Sequence, residues 1–300
     1  LDRPFYLSYP ESDDVTESLA EHYYLTGAKL GYQPNALFHS TWYIKQNPEL
    51  QESGENPLVH YLTKGVIENR QPHPLLDIAW YLGQYPDLRQ LVDRQELNPL
   101  WHYLYQGGKE LRNPNPLFLA AYYVAEYPEI VESELNPLVY YLKYGDQWHM
   151  DPHPLFDSRY YLRQIGADLP EGISALEHYL TDPHHWRFAP SACFDSAWYL
   201  AEYPDVYFSE LNPLVHYLKH GQKDGRKPHP KAGEKEFINQ YKLKFRKVGI
   251  ELVAPTTVKP AKSASLVSPA LQSMLKFEDQ PLSPPNFSFA QDQLVIHWVT

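Results

Sequence analysis

The feature that most constrains this chain is that it repeats itself. Trp42-Tyr43, Trp80-Tyr81, Tyr122-Tyr123, Tyr160-Tyr161 and Trp198-Tyr199 recur at intervals of 38, 42, 38 and 38 residues. Behind them follow Asn56-Pro57-Leu58, Asn98-Pro99-Leu100, Asn136-Pro137-Leu138, a degenerate Ser174-Ala175-Leu176, and Asn212-Pro213-Leu214. Each of these leads into a His-Tyr-Leu-like triplet, as at His60-Tyr61-Leu62 and His216-Tyr217-Leu218, with Tyr140 in place of histidine in one copy. Gly65, Gly107, Gly145 and Gly221 close four copies, and Pro183 stands at that place in the copy around 157–187. An altered copy precedes them, in Phe5-Tyr6-Leu7, Tyr9-Pro10 and His22-Tyr23 to Gly27. Six units of about 38 residues thus fill positions 1–230. A fixed period of this length is the signature of stacked supersecondary units, none of which buries its own apolar face alone.

The punctuation inside a unit assigns its helices. Asn-Pro before an apolar periodic run is an N-cap followed by proline at the first helical position, where the missing amide hydrogen costs nothing. Leu100, Tyr103 and Leu104 then share one face, and Gly107 is expected to supply a left-handed C-cap after roughly two turns. Asp77, Asp157 and Asp195 are expected N-caps of an upstream helix that Pro48, Pro86, Pro128 and Pro204 stop. Each unit therefore reads as a pair of short helices joined by a loop, with a Pro-x-Pro-Leu-Phe-like crossing to the next unit. The predicted fold is all-α, an α-solenoid-like or compact superhelical array with a mostly irregular C-terminal tail.

Composition narrows the functional classes. A net charge of −11 disfavours a nucleic-acid backbone partner, and 43% hydrophobic residues supply a core. The single cysteine, Cys193, excludes an internal disulfide and an all-cysteine metal cluster. No stretch approaches about 18 consecutive apolar residues, so no transmembrane segment is expected. After the array, residues 231–254 form a basic transition segment and 255–292 a Pro/Ser/Ala/Lys linker. Residues 293–300 read as the first strand of a truncated downstream domain, apolar enough for a buried parallel strand. The chain accordingly reads as a piece of a longer protein, here without a cofactor.

The run from Phe194 to Pro230, with Phe-Asp-x-x-Trp-Tyr-Leu-x-x-Tyr-Pro-Asp-Val and then Asn-Pro-Leu-x-His-Tyr-Leu, resembles the repeats of large bacterial glycosyltransferases that build cell-surface polysaccharides, rhamnan-type ones included. The resemblance covers residues 1–230. It implies a parent that is a sugar-nucleotide-dependent transferase, with this region a non-catalytic scaffold that positions enzyme or acceptor glycan. Surface glycan or glycan-assembly proteins are then the expected partners, and the cytoplasm, at the inner face of the membrane through partners, the expected place. The alternative is a stand-alone protein-interaction or carbohydrate-binding module.

No catalytic residue is assigned, because each candidate nucleophile, base or carboxylate belongs to the repeating pattern or to its variable loops. The repeat-position histidines are each a whole unit apart, too far for ligands converging within about 2 Å of one ion, and no metal site is assigned. His184-His185 is the one local histidine cluster. Asp224 with Arg226, Glu110 with Arg112, and Glu68 with Arg70 recur after the glycine and read as structural clamps. The tyrosines at helical spacing read as core. Trp101, Trp148 and Trp186 depart from the strict pattern and are, with His184 and His185, the expected ligand or partner surface.

Overall fold

The computed structural model describes residues 3–9, 19–166, 169–170, 172–246, 287–290 and 293–296. The chain is an all-α tandem array of short helix-pair units. The leading helices are Ser40–Gln46, Ile78–Gln84, Ala120–Glu126, Ser158–Ile165 and Ser196–Glu202. Asp77, Asp157 and Asp195 cap three of them, each carboxylate accepting the backbone N–H three residues on at 2.8 to 3.0 Å. The proline that ends the leading helix also starts a new turn, because proline is pre-set for a first helical position. Glu49–Ser53, Pro86–Asp93, Glu129–Glu132 and Asp205–Phe208 are the result, so the loop expected between paired helices is itself helical.

The second member of each pair begins at Asn-Pro. Asn56, Asn98, Asn136 and Asn212 accept from the backbone N–H groups two and three residues on. The amide supplies what a serine or aspartate cap would lack: Nδ2 of Asn136 donates to the Tyr103 carbonyl at 2.8 Å, and that of Asn212 to Tyr179 at 3.1 Å, each in the preceding unit. The helix then widens, through Tyr61–Gly65 and its counterparts, into bonds that span five residues, such as Val66 N–H to the Tyr61 carbonyl at 2.9 Å.

The expected left-handed glycine cap is displaced. Gly65, Gly107, Gly145 and Gly221 are not among the residues with positive φ; the left-handed residues lie four places later, at Asn69, Leu111, His149 and Gly225. There, paired bonds such as Arg70 N–H to Gly65 O at 2.8 Å and Asn69 N–H to Val66 O at 3.3 Å form a Schellman motif. The glycine serves a close approach instead. A Cβ on Gly65 would stand 2.5 Å from the Tyr43 hydroxyl, and one on Gly107 or Gly221 would overlap the hydroxyl of Tyr81 or Tyr199.

That tyrosine is half of the core motif. Its ring meets the tyrosine of the Asn-Pro helix edge to face in every unit: Tyr6 with Tyr23, Tyr43 with Tyr61, Tyr81 with Tyr103, Tyr123 with Tyr141, Tyr161 with Tyr179, and Tyr199 with Tyr217, at centroid distances of 5.5 to 5.9 Å. Phe38, Phe118, Phe156 and Phe194 of the crossings pack on both rings of their own units. Successive crossings are joined backbone to backbone, from His39 N–H to Pro72 O through Asp195 N–H to Pro228 O, at 2.9 to 3.1 Å.

Two longer contacts show how tightly the array coils. His73, in the third unit, lies 3.5 Å from Glu177 in the fifth, and Asp77 lies 3.9 Å from Lys219 in the sixth. Beyond the last unit, Lys235–Arg246 is a helix whose Phe237 and Tyr241 are buried in the same core. Tyr241 lies 3.4 Å, hydroxyl to hydroxyl, from Tyr217, and Phe237 stacks on His229. The array therefore extends past residue 230 into the segment read from sequence as a basic transition. The strand expected from residue 293 appears as Gln293–Ile296, paired antiparallel with Phe287–Ala290 rather than standing as a parallel strand. The Phe287–Ala290 strand falls in the stretch read as linker.

Candidate functional site

Nearly all of the repeated polar chemistry is spent within the array. The repeat histidines His22, His60, His102, His178 and His216 each share a hydrogen bond, through Nδ1, with the leading-helix tyrosine of the same unit, at 2.8 to 3.1 Å. Where Tyr140 replaces histidine, the Tyr123 hydroxyl donates to the Met150 sulfur at 3.1 Å. The crossing histidines act as turn acceptors: Nδ1 of His73 and His153 takes the N–H of Leu75 and Leu155, as Oδ1 of Asn115 takes that of Leu117. Burial drives the pKa of His73 and of His153 down to about 3, so both are neutral.

The charged pairs after the glycine clamp the Schellman turn to the proline-initiated turn. Arg226 reaches Asp205 at 2.8 Å and Asp224 at 3.9 Å, and lies over the Tyr203 ring. Arg112 pairs with Glu110 at 2.5 Å and Asp87 at 3.4 Å over Tyr85. Arg70 pairs with Glu68 at 2.5 Å and with Glu49 and Asn47. The Tyr-Pro tyrosines Tyr85, Tyr127 and Tyr203 accept the backbone N–H of Asn113, Asp151 and Lys227. In the fifth unit the Gln164 amide substitutes for that tyrosine, exchanging two hydrogen bonds with Ala189.

The expected surface residues divide. Trp186 is buried, 7% exposed, and its Nε1 has no hydrogen-bond partner among the described residues, which corrects the expectation of a surface ring. Its burial follows from the 3₁₀ helix Pro183–Arg187, which turns the ring inward. His185 stacks on His178 at 3.5 Å and its Nδ1 lies 2.6 Å from the His178 carbonyl, whereas His184 is exposed and its backbone N–H is capped by Asp182. Trp101 is half-buried and stacks on Tyr105. Trp148 is 48% exposed and ends a ladder in which Tyr140, Tyr144 and Trp148 pack at 4.8 and 5.3 Å. Cys193 is buried, and no group of three or more metal-ligating side chains occurs among the described residues.

His149, which follows Trp148 on the same turn, lines an open groove of ≈ 450 Å³ together with Arg159, Leu162 and Arg163. The helix Ser158–Ile165 places Arg159, Leu162 and Arg163 on one face at i, i+3 and i+4. His149 faces them from the left-handed position of the preceding Schellman turn, with φ 52°. Both arginines are exposed, and neither makes an ion pair with a described residue. The sequence reading did not single them out. The signal was present in the repeat register: Arg159 stands where other units have Thr41, Ala79, Ala121 and Ala197, and Arg163 where they have Lys45, Gly83, Ala125 and Ala201.

No protein-family model matches the chain, and no curated protein and no solved structure matches it. No helix among the described residues is long and apolar enough to cross a membrane.

Proposed function

We propose that the array is a non-catalytic positioning module of a bacterial glycosyltransferase for surface polysaccharide, holding the acceptor glycan relative to a catalytic domain elsewhere in the parent. The observation that supports this reading is the division of labour among side chains. Residues that recur from unit to unit are spent on each other, in Tyr-His pairs, Asn caps and Arg clamps. Two residues that break the register without serving the stack, Arg159 and Arg163, line an open groove between the fourth and fifth units. Such a surface binds and orients rather than turning over a substrate. The glycosyltransferase assignment rests on the resemblance of the repeats.

The test is transfer by the parental protein with and without residues 1–246, given a panel of sugar nucleotides. Loss of transfer to a polymeric acceptor, with transfer to a short acceptor retained, supports the positioning role. Equal activity of the two proteins on both acceptors overturns it. A stand-alone interaction module is the second reading, favoured by Tyr207 and Phe208, which project from one turn of the sixth unit at 68% and 81% exposure. Capture of a defined protein partner, lost in Phe208→Ser, by a parent that transfers no sugar would select it.

A further inference from the structure

We infer that the groove between the fourth and fifth units binds an acidic saccharide, with Arg159 and Arg163 holding its anionic group and the half-exposed indole of Trp148, on the turn that carries His149, offering a surface for a sugar ring. This deepens the glycan-positioning role proposed above and rests on it for the class of ligand. Three independent observations converge on the seam.

The first is electrostatic. Two exposed guanidinium groups sit one helical turn apart on one face, where like charges repel. Arg70, Arg112 and Arg226 are all held by carboxylates, yet in a chain of net charge −11 this pair is not. Nothing in the fold calls for the two charges, since Ala121 and Ala125 or Ala197 and Ala201 occupy the same places in neighbouring units. A carboxylate or phosphate between the two forks relieves the repulsion and takes paired hydrogen bonds.

The second is the aromatic ladder. Tyr144 covers one face of Trp148 at 5.3 Å and 14°, so the indole is fixed as a platform while remaining half exposed. In other units the place of Trp148 is taken by Glu68 or Glu110, the clamp acids, and that of Met150 by their arginines. The fourth unit has thus lost its clamp and gained an aromatic surface on the turn that carries His149. The third is shape. A groove of ≈ 450 Å³, open to solvent, lies within the range of sites for small ligands. A pair of guanidinium groups for a compact anion, with an exposed indole on the turn that also carries the groove residue His149, fits a uronic acid or a glycosyl phosphate. A long polyanion such as nucleic acid is disfavoured by the acidic remainder of the surface.

The experiment uses the 300-residue chain, titrated by calorimetry at low salt with an oligogalacturonate, with glucose 1-phosphate and with a neutral maltooligosaccharide. Expected is binding of an acidic probe, weakened about tenfold or more in the double variant Arg159→Gln and Arg163→Gln, and weakened by added salt. The oligogalacturonate and glucose 1-phosphate arms separate a carboxylate from a phosphate source. Trp148→Ala should also weaken binding, and because the ring is exposed, its circular dichroism should match the parent chain. Equal binding of acidic and neutral probes, or acidic binding unchanged in the arginine variant, overturns the site. Absence of binding by all three probes overturns it as well. In each case the deletion experiment on the parent still decides the positioning role separately.

Discussion

Two tyrosines at successive places in one core should respond in opposite ways to loss of a hydroxyl. Tyr81 and Tyr103 belong to the same unit, are fully buried, and face each other edge to face at 5.5 Å. The Tyr81 hydroxyl shares a 2.9 Å hydrogen bond with Nδ1 of the buried His102. The Tyr103 hydroxyl is buried with no hydrogen-bond partner among the described residues. The equivalent hydroxyls of Tyr23 and Tyr179 meet Ser40 and Ser196 of the next unit, but Tyr103 faces the register position of Ala120. Tyr81→Phe keeps the ring and leaves a desolvated imidazole nitrogen unpaired, which costs about 1–3 kcal/mol. Tyr103→Phe keeps the ring and removes a desolvated donor, so it is neutral or stabilises by up to roughly 1–3 kcal/mol. The two urea midpoints should therefore move to opposite sides of the parent, or one should fall while the other holds, at unchanged slope. A fall in Tyr103→Phe as large as in Tyr81→Phe would falsify the assignment of a partnerless hydroxyl. A Tyr81→Phe midpoint equal to the parent's would show that the tyrosine-histidine pair stabilises nothing.

Other perturbations follow from the same geometry. Ala120→Ser should restore a partner to the Tyr103 hydroxyl and raise the thermal midpoint by the equivalent of about 1 kcal/mol, an effect that should vanish in the Tyr103→Phe background. Gly107→Ala should destabilise by about 1–3 kcal/mol because its Cβ overlaps the Tyr81 hydroxyl, whereas Gly83→Ala, in a leading helix with open space around it, should stabilise by up to about 1 kcal/mol in the same denaturation assay. His153 has a folded pKa of about 3 against an ordinary 6.5, so its contribution is intact above 6.5 and is lost as pH falls toward 3. Between pH 6.5 and about 5 that loss is about 2 kcal/mol, and His153→Asn, which copies Asn115, should flatten the stability profile over this window.

The array was legible in the sequence because its punctuation is local. Asn-Pro, the aspartate caps and the helical spacing of Leu100, Tyr103 and Leu104 act within a few residues, so local rules read them. The glycine was misread because its constraint is spatial: what crowds Gly107 is the hydroxyl of Tyr81, a whole helix earlier, and a glycine after a helix has the same local signature whichever reason holds. Proline was ambiguous in the same way, since Pro86 both ends Ile78–Gln84 and begins Pro86–Asp93. Trp186 was misplaced because the fifth unit replaces the usual turn with a 3₁₀ helix, which no repeat register foretells. The arginines of the groove were passed over because a charged residue on a helix face is ordinary in isolation. They become unusual only when read down the column of equivalent positions.

The fifth unit shows why that column matters. It has lost the Tyr-Pro pair, the Asn-Pro cap and the closing glycine, yet the bond of that tyrosine and the helix cap are both rebuilt by other side chains. Gln164 bonds Ala189 in place of the tyrosine, and Ser174 and Glu177 form a reciprocal capping box in place of asparagine. Glu177 goes further. Buried where other units carry Val59, Val139 or Val215, it sets its carboxyl 3.5 Å from His73, two units away. Burial favours the neutral form of each, raising the pKa of Glu177 and lowering that of His73. A unit that was merely decaying would lose contacts without such substitutions, and would not acquire one that ties distant turns of the coil together. The departures in this half of the array are therefore of two kinds: those that rebuild the stack by other means, and those, Arg159 and Arg163 with Trp148, that the stack does not use. A frame whose repeated polar groups are nearly all engaged with one another leaves the second kind as its candidates for binding.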